Sequence, residues 1–173
     1  SGTSLIGAGS FFELCVVDET FVVNEQIITG SDAAFATVNE GGSNFPSDNG
    51  DLVVISNIRG TSGGTSGGTM KMYLNGDTTS SNYEFQRLGG YNGGDFAQIS
   101  SNNSVGTSPE NGCTAGTFGG GVHQIASYSD TVGQKMVNSL TGMTTLTNSN
   151  DMLSQQTITR WNNTAAVTSF TLS

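Results

Sequence analysis

Short runs of alternating apolar and polar residues recur along this chain, and they constrain its fold more than any other feature. No window of about eleven residues keeps an apolar stripe at the three-to-four spacing of a helix. The runs FFELCVV, DLVVISNI, TMKMYL and NYEFQRL are typical of strands, because they combine β-branched or aromatic residues with alternation. The sequence therefore predicts an all-β protein.

Turn residues separate these runs at short intervals. About eight to ten short strands with Gly, Asn and Asp between them favour an antiparallel, jelly-roll-like β-sandwich. The stretch GTSGGTSGGT has the composition of a flexible connection between two strands. We predict strands at 11–17, 20–28, 51–58, 69–74, 82–88, 96–100, 117–128, 133–140, 155–161 and 165–172.

The chain of 173 residues fits a single domain spanning 1–173. We expect its N-terminal strands and loop, 1–50, to contact neighbouring subunits, because 11–28 is richer in apolar residues than the rest. No linker divides the apolar positions into two cores. We predict one core of Phe12, Leu14, Val16, Val22, Ile28, Leu52, Val54, Ile58, Met72, Leu74, Tyr83, Phe85, Leu88, Val122, Ile125, Val137, Leu140, Ile158, Trp161, Val167, Phe170 and Leu172.

The charge balance argues against two classes of partner. Five Lys and Arg against fourteen Asp and Glu give a net charge of -9, and the cations are scattered singly. Nucleic-acid binding needs clustered cations that displace counterions, so we expect no nucleic-acid partner. Anionic membrane surfaces are disfavoured for the same reason. No apolar stretch approaches the roughly 20 residues that span a bilayer.

Cysteine and histidine give little sign of catalysis. Cys15 and Cys113 are either free thiols or one bridge, and spacing alone leaves both readings open. The single histidine, His123, lies in a strand-like run, and no Gly-x-Ser-x-Gly nucleophile motif is present. We expect a strand histidine that faces solvent or is hydrogen-bonded within the sheet. We predict no catalytic residue and no enzyme.

Calcium is the one metal for which the sequence offers ligands. Carboxylate and amide oxygens suit a hard cation, and Asp48, Asp51, Asn75 and Asp77 would supply them. The same residue types are selected by tight turns, because they tolerate positive φ and bond their own backbone. Turn chemistry is the preferred explanation, so no cofactor is expected and calcium is the minority hypothesis. Asn75-Gly76-Asp77 is then predicted to begin a hairpin connection.

Two patches resemble a family of bacteriophage virion structural proteins, particularly tail-fibre proteins of marine phages. YLNGDTTSSNYEFQRL is similar to the phrase RFNGDTGANYSYQRL, and RWNNTAAVTSFTLS is similar to RWRNTAAITSITLS. The resemblance covers about residues 51–173, whereas the segment before it carries Pro46 without the Tyr of the family's Ile-Pro-x-x-Tyr phrase. The matching positions are Asn75, Gly76, Asp77, Asn82, Tyr83, Trp161, Asn163, Thr164, Ala165 and Ala166.

This resemblance implies a non-enzymatic structural role in the virion, as a capsid decoration, fibre or tail module. We expect such a protein to assemble with other virion proteins and with copies of itself, as a symmetric homo-oligomer such as a trimer. The alternative is a carbohydrate-binding head of a tail fibre that recognises a host-surface glycan. That alternative needs exposed aromatic rings, for which Tyr83, Tyr91, Tyr128 and Trp161 are candidates, although each is equally suited to a core.

Overall fold

The structure is a computed structural model that describes residues 11–18, 21–29, 37–39, 50–59, 68–91, 93–109, 117–144 and 152–173. The strands before residue 50 are described by their backbone pairing. No α-helix occurs in these ranges, and hence none that could cross a bilayer. A single 3-10 turn in these ranges spans Ser80–Asn82.

The described residues form twelve strands in two sheets, and every pairing between strands is antiparallel. The strands are β1 Phe11–Asp18, β2 Phe21–Thr29, β3 Thr37–Asn39, β4 Leu52–Arg59, β5 Gly68–Leu74, β6 Tyr83–Tyr91, β7 Gly94–Ser100, β8 Ser104–Ser108, β9 Phe118–Ala126, β10 Lys135–Thr144, β11 Met152–Trp161 and β12 Ser169–Leu172. The larger sheet has the order β2-β1-β4-β9-β10-β11-β6-β7, and the smaller has the order β3-β12-β5-β8. Their packing confirms the predicted all-β antiparallel sandwich.

Alternation places one face of each central strand in the core. In β4, Leu52, Val54 and Ile58 are buried while Asn57 is exposed, as period-two side chains require. The smaller sheet contributes the alternating methionines and Leu74 of β5, together with Phe170 and Leu172 of β12. Most of the buried apolar residues, from both sheets, form one cluster, to which the buried Phe85 and Met143 do not belong. The boundaries 1–173 of a single domain stay a prediction.

The strand β8 lies between the predicted strands 96–100 and 117–128, where the sequence predicts no strand. All five of its residues are buried, although only Val105 is strongly apolar. Its backbone packs against β9, β10 and β11, and a Cβ added to Gly106 would lie 2.4 Å from Thr141 Cγ2. The approach is so close that only small side chains fit beneath β8. Polar residues of the facing strands satisfy its backbone, since Thr159 Oγ1 donates to the carbonyl oxygen of Ser104.

Four predicted core residues are wrong, because Leu88, Val122, Leu140 and Ile158 are exposed at 62%, 45%, 64% and 41%. The buried positions beside Val122, Leu140 and Ile158 are His, Ser and Thr, because the layer under β8 has room only for small or hydrogen-bonded groups. Leu88 lies on the outward-facing side of β6, between the half-buried Arg87 and Gly89. The side chains of Phe12, Leu14, Val16, Val22 and Ile28 lie outside the described residues. The other predicted core residues are buried: Leu52, Val54, Ile58, Met72, Leu74, Tyr83, Phe85, Ile125, Val137, Trp161, Val167, Phe170 and Leu172.

Candidate functional site

The turn at Asn75 and Gly76 joins the two sheets. Asn75 and Gly76 adopt φ values of 51° and 70°, and the Asp77 N–H donates to the Leu74 carbonyl oxygen at 3.0 Å. These are the features of a type I′ turn. The predicted hairpin is nevertheless wrong, because β5 pairs with β12 and β8, whereas β6 pairs with β11 and β7. After the turn, the chain crosses from the smaller sheet to the larger one.

Asn75 ties this turn to the segment between β11 and β12. Its Nδ2 donates to the Ala166 carbonyl oxygen at 2.7 Å, and its Oδ1 accepts the Thr168 and Ser169 N–H groups at 2.8 Å and 3.2 Å. The two patches that carry the family resemblance therefore contact each other. The residues that make these contacts join the two sheets at one end of the sandwich.

Asp77 is the centre of the same junction. One carboxylate oxygen, Oδ2, accepts from Trp161 Nε1 at 2.8 Å and from Asn82 Nδ2 at 2.9 Å, while Oδ1 accepts the Thr79 N–H at 3.0 Å. The Asp77 carbonyl oxygen accepts from the Tyr83 hydroxyl at 3.0 Å. Desolvation raises the pKa of the Asp77 carboxyl, but the hydrogen bonds from Trp161, Asn82 and Thr79 outweigh it and lower that pKa overall.

We expect Asp77→Asn to lower the free energy of unfolding by about 1–3 kcal/mol. An amide has one acceptor oxygen, so at least one of the N–H donors around Asp77 would face an NH₂ group. Urea denaturation would measure the change, with Asp95→Asn as the matched control because Asp95 is exposed on β7. Equal stability of the two variants would contradict a structural role for the Asp77 carboxylate.

The residues predicted as calcium ligands serve several different contacts. Asp51 accepts from the Gln124 side chain and, at 2.9 Å, from the Ser127 N–H, so it fixes the end of β9. Asn75 and Asp77 form hydrogen bonds within the inter-sheet junction described above. Asp48 lies outside the described residues. In the part of the chain that the structure describes, no three acidic, histidine or cysteine side chains cluster as metal ligands would. Turn and junction chemistry accounts for the oxygen atoms of Asp51, Asn75 and Asp77.

His123 is fully buried between two serines. Its Nε2 lies 3.1 Å from Ser56 Oγ, and its Nδ1 lies 2.9 Å from Ser139 Oγ. Ser56 Oγ also donates to the Gly121 carbonyl oxygen at 3.4 Å, so it accepts from Nε2–H and leaves Nδ1 to accept from Ser139. Burial lowers the pKa of His123 to about 4, which keeps the ring neutral near pH 7. The expectation of a histidine hydrogen-bonded within the sandwich is confirmed.

The aromatic residues proposed for glycan recognition divide into two groups. Tyr83, Tyr128 and Trp161 are buried, and the rings of Tyr83 and Trp161 stack with centroids 6.4 Å apart. Only Tyr91 among the four is exposed, at 40%. Cys15 pairs through its backbone with Ile55 and Glu25, whereas Cys113 falls outside the described residues, so their pairing stays open.

An unusual surface remains on the larger sheet. The outer face, defined as the side of this sheet opposite the core, carries the exposed residues Leu88, Val122, Leu140 and Ile158. Sequence reasoning missed this surface because it assigned all four residues to the core. The alternation in KMVNSLTGMT does separate Leu140 from Val137, but it does not reveal which of the two faces is covered.

No protein-family model matches the chain, and no curated protein or solved structure matches it.

Proposed function

We propose that this protein is a non-enzymatic structural component of a bacteriophage virion, such as a capsid decoration, fibre or tail module. It acts by assembling with copies of itself and with other virion proteins. The observation that carries this proposal is the apolar outer face of the eight-stranded sheet. The sequence resemblance supports the virion context, and its two patches form the junction that closes the sandwich.

Three apolar residues of the outer face, Ile55, Val122 and Leu140, are adjacent on β4, β9 and β10, and Gln156 separates them from Leu88 on β6. Val122 is the cross-strand partner of both Ile55 and Leu140. Leu140 also pairs with Gln156, which pairs in turn with Leu88 on β6. Scattered single apolar residues are normal on a surface, but a contiguous apolar row marks an interaction surface. We therefore assign the subunit contact to this row.

Charge favours self-association at the same place. The neighbouring cross-strand row holds Val53, Gln124, Asn138, Ile158 and Gln86, all of them uncharged. A chain with a net charge of -9 repels its own copies, so a stable contact between them needs a surface that is free of like charges. These two rows of the outer face meet this requirement, and the next row carries Glu84, whose carboxylate is paired with Arg160. Salt would screen the remaining repulsion and strengthen the assembly.

We expect Leu140→Asp to convert an oligomer of the wild-type protein into monomers. The substitution places a carboxylate in the apolar row, where burial against a second copy would leave it unpaired. Size-exclusion chromatography with light scattering would measure the mass of each species. Val132→Asp is the matched control, because Val132 is 85% exposed but lies in the connection between β9 and β10.

Two results would overturn this proposal. One is a wild-type protein that stays monomeric at micromolar concentration, and the other is an oligomer that Leu140→Asp leaves intact while the protein remains folded. Imaging of a virion that contains this chain would test the context, since we expect the outer face to contact a neighbouring subunit there. A position free of neighbours would contradict the structural role.

A further inference from the structure

A cavity of about 320 Å³, largely open to solvent, lies on the core side of the larger sheet, beside β8. It is separate from the outer face, because Arg87 of β6 points toward the core side whereas Leu88 points outward. Its lining combines Arg87, Thr107 and Gln155 with the rings of Tyr91 and Phe96. Ligand pockets in proteins measure about 300–1,000 Å³, so this volume suits one small molecule such as a monosaccharide.

The polar groups of this cavity lack partners. Arg87 Nε, Thr107 Oγ1 and Gln155 Oε1 are buried atoms that form no hydrogen bond with the described residues. Thr107 and Gln155 are themselves only 7% and 2% exposed. Buried polar groups in folded proteins are almost always satisfied, so the three side chains that carry these atoms are candidates to bind a hydrogen-bonding molecule in the cavity.

Arg87 determines the charge of that molecule. Its guanidinium lies 5.6 Å and 5.4 Å from the ring centroids of Phe85 and Phe96, and no carboxylate of the described residues forms an ion pair with it. Desolvation lowers the pKa of Arg87, which reflects the unfavourable setting of a cation without a counterion. A carboxylate on the ligand would supply two hydrogen bonds in the fork geometry that guanidinium prefers.

The other side chains of the cavity determine which ligand groups can lie beside the carboxylate. Gln155 Nε2 already donates to Thr157 Oγ1 at 3.3 Å, so its free oxygen requires a donor such as a hydroxyl. Thr107 Oγ1 can donate to or accept from a second hydroxyl. Tyr91 and Phe96 offer apolar ring faces on which the C–H side of a sugar can pack. The Phe96 ring can approach the backbone because residue 89 is a glycine: a Cβ added to Gly89 would lie 2.7 Å from Phe96 Cζ.

From this combination we infer that the cavity binds an acidic sugar, a monosaccharide unit that carries a carboxylate and several hydroxyls. Bare inorganic anions fit less well, because they would leave Gln155 Oε1 without a donor. A neutral sugar would leave Arg87 without a counterion. This site is independent of the assembly proposed above, since it lies on the other side of the sheet.

Saturation-transfer NMR on the full chain with sodium D-glucuronate as the probe tests the inference. We expect saturation transfer to the sugar ring protons and a dissociation constant in the millimolar range, as is usual for so small a ligand. Removal of the charge-assisted bonds in Arg87→Gln should weaken binding about tenfold or more. Arg160→Gln is the matched control, because Arg160 is an exposed arginine that pairs with Glu84.

D-glucose and sodium acetate separate the two parts of the proposed ligand. We expect glucose to bind at least about tenfold more weakly than glucuronate, and acetate not to compete at equal concentration. The inference is overturned if glucose binds as well as glucuronate, if acetate competes equally, or if glucuronate gives no saturation transfer. Equal affinity of folded Arg87→Gln and the wild-type protein would also overturn it.

A second variant keeps the test decisive if Arg87→Gln does not fold. Tyr91 is 40% exposed, so Tyr91→Ala should leave the fold intact while weakening glucuronate binding severalfold. Phe118→Ala, at an exposed aromatic residue on β9, should leave binding unchanged. Unaltered binding by Tyr91→Ala would contradict the assigned position. Because neither variant touches the row of Val122 and Leu140, failure here would leave the assembly proposal standing.

Discussion

Trp161→Ala is expected to lower the free energy of unfolding by about 3–5 kcal/mol, the range observed when a large buried aromatic side chain is truncated. Trp161 is only 2% exposed, its ring stacks on Tyr83, and its indole N–H donates to Asp77 Oδ2 at 2.8 Å. The substitution therefore creates a cavity and leaves Asp77 with one donor fewer. Urea denaturation followed by circular dichroism would measure the loss.

Two further variants separate packing from hydrogen bonding at this position. Trp161→Phe retains an aromatic ring but removes the indole N–H, so we expect a smaller loss of about 1–3 kcal/mol. Phe118→Ala removes an exposed aromatic ring and should change stability by less than about 1 kcal/mol. If Trp161→Ala were no more destabilising than Phe118→Ala, the junction around Asp77 would not stabilise the sandwich.

The strands themselves were largely predictable because their alternation survives in the structure. In β4 the buried set Leu52, Val54 and Ile58 follows directly from the run DLVVISNI. The run SVGTS of β8 carries no comparable signal, since one apolar residue does not define a pattern. Its burial depends on Gly106, which allows the backbone to approach Thr141, and such an approach is a tertiary property.

The orientation of the central strands was not predictable from alternation alone. Both faces of β10 carry apolar residues, with Val137 and Met143 inside and Met136 and Leu140 outside. A period-two pattern separates the two sets but does not say which one a second sheet covers. β8 packs against the face of β10 that carries Ser139 and Thr141, because these small side chains leave room for its backbone, so this face is the covered one. The apolar outer face follows as the other half of the same pattern.

The candidate sites show a similar division. The Asn-Gly dipeptide predicted its turn, because both residues tolerate the positive φ that the turn requires. The strand after the turn, β6, pairs with β11, which lies about seventy residues further along the chain. The sequence near the turn therefore could not show that the predicted hairpin is wrong. The alternation in NYEFQRL places Arg87 on the same face as Tyr83 and Phe85, but its lack of a counterion among the described residues becomes visible only in three dimensions.

Lowering the pH from 7.5 to 4 is expected to reduce the free energy of unfolding through His123, the single histidine of the chain. Burial lowers its pKa in the folded state from the ordinary 6.5 to about 4. Between these values the unfolded chain binds a proton that the folded protein does not, so stability falls as the pH falls. At about 1.4 kcal/mol per pH unit, the full interval corresponds to about 3 kcal/mol. This loss is absent above pH 6.5, where the imidazole is neutral in both states, and it is complete only below about pH 4.

Carboxylates also titrate toward the lower end of this interval, so the measurement needs a variant that lacks the imidazole. His123→Gln keeps groups that can hydrogen-bond to Ser56 and Ser139 but does not titrate. Urea denaturation of both proteins at several pH values would give the difference in slope that belongs to His123. We expect the wild-type curve to fall more steeply between pH 6.5 and 4.5, where most carboxylates are still ionised. Parallel curves would mean that His123 is protonated in the folded state as readily as in the unfolded chain, and its burial between the two serines would then have no influence on stability.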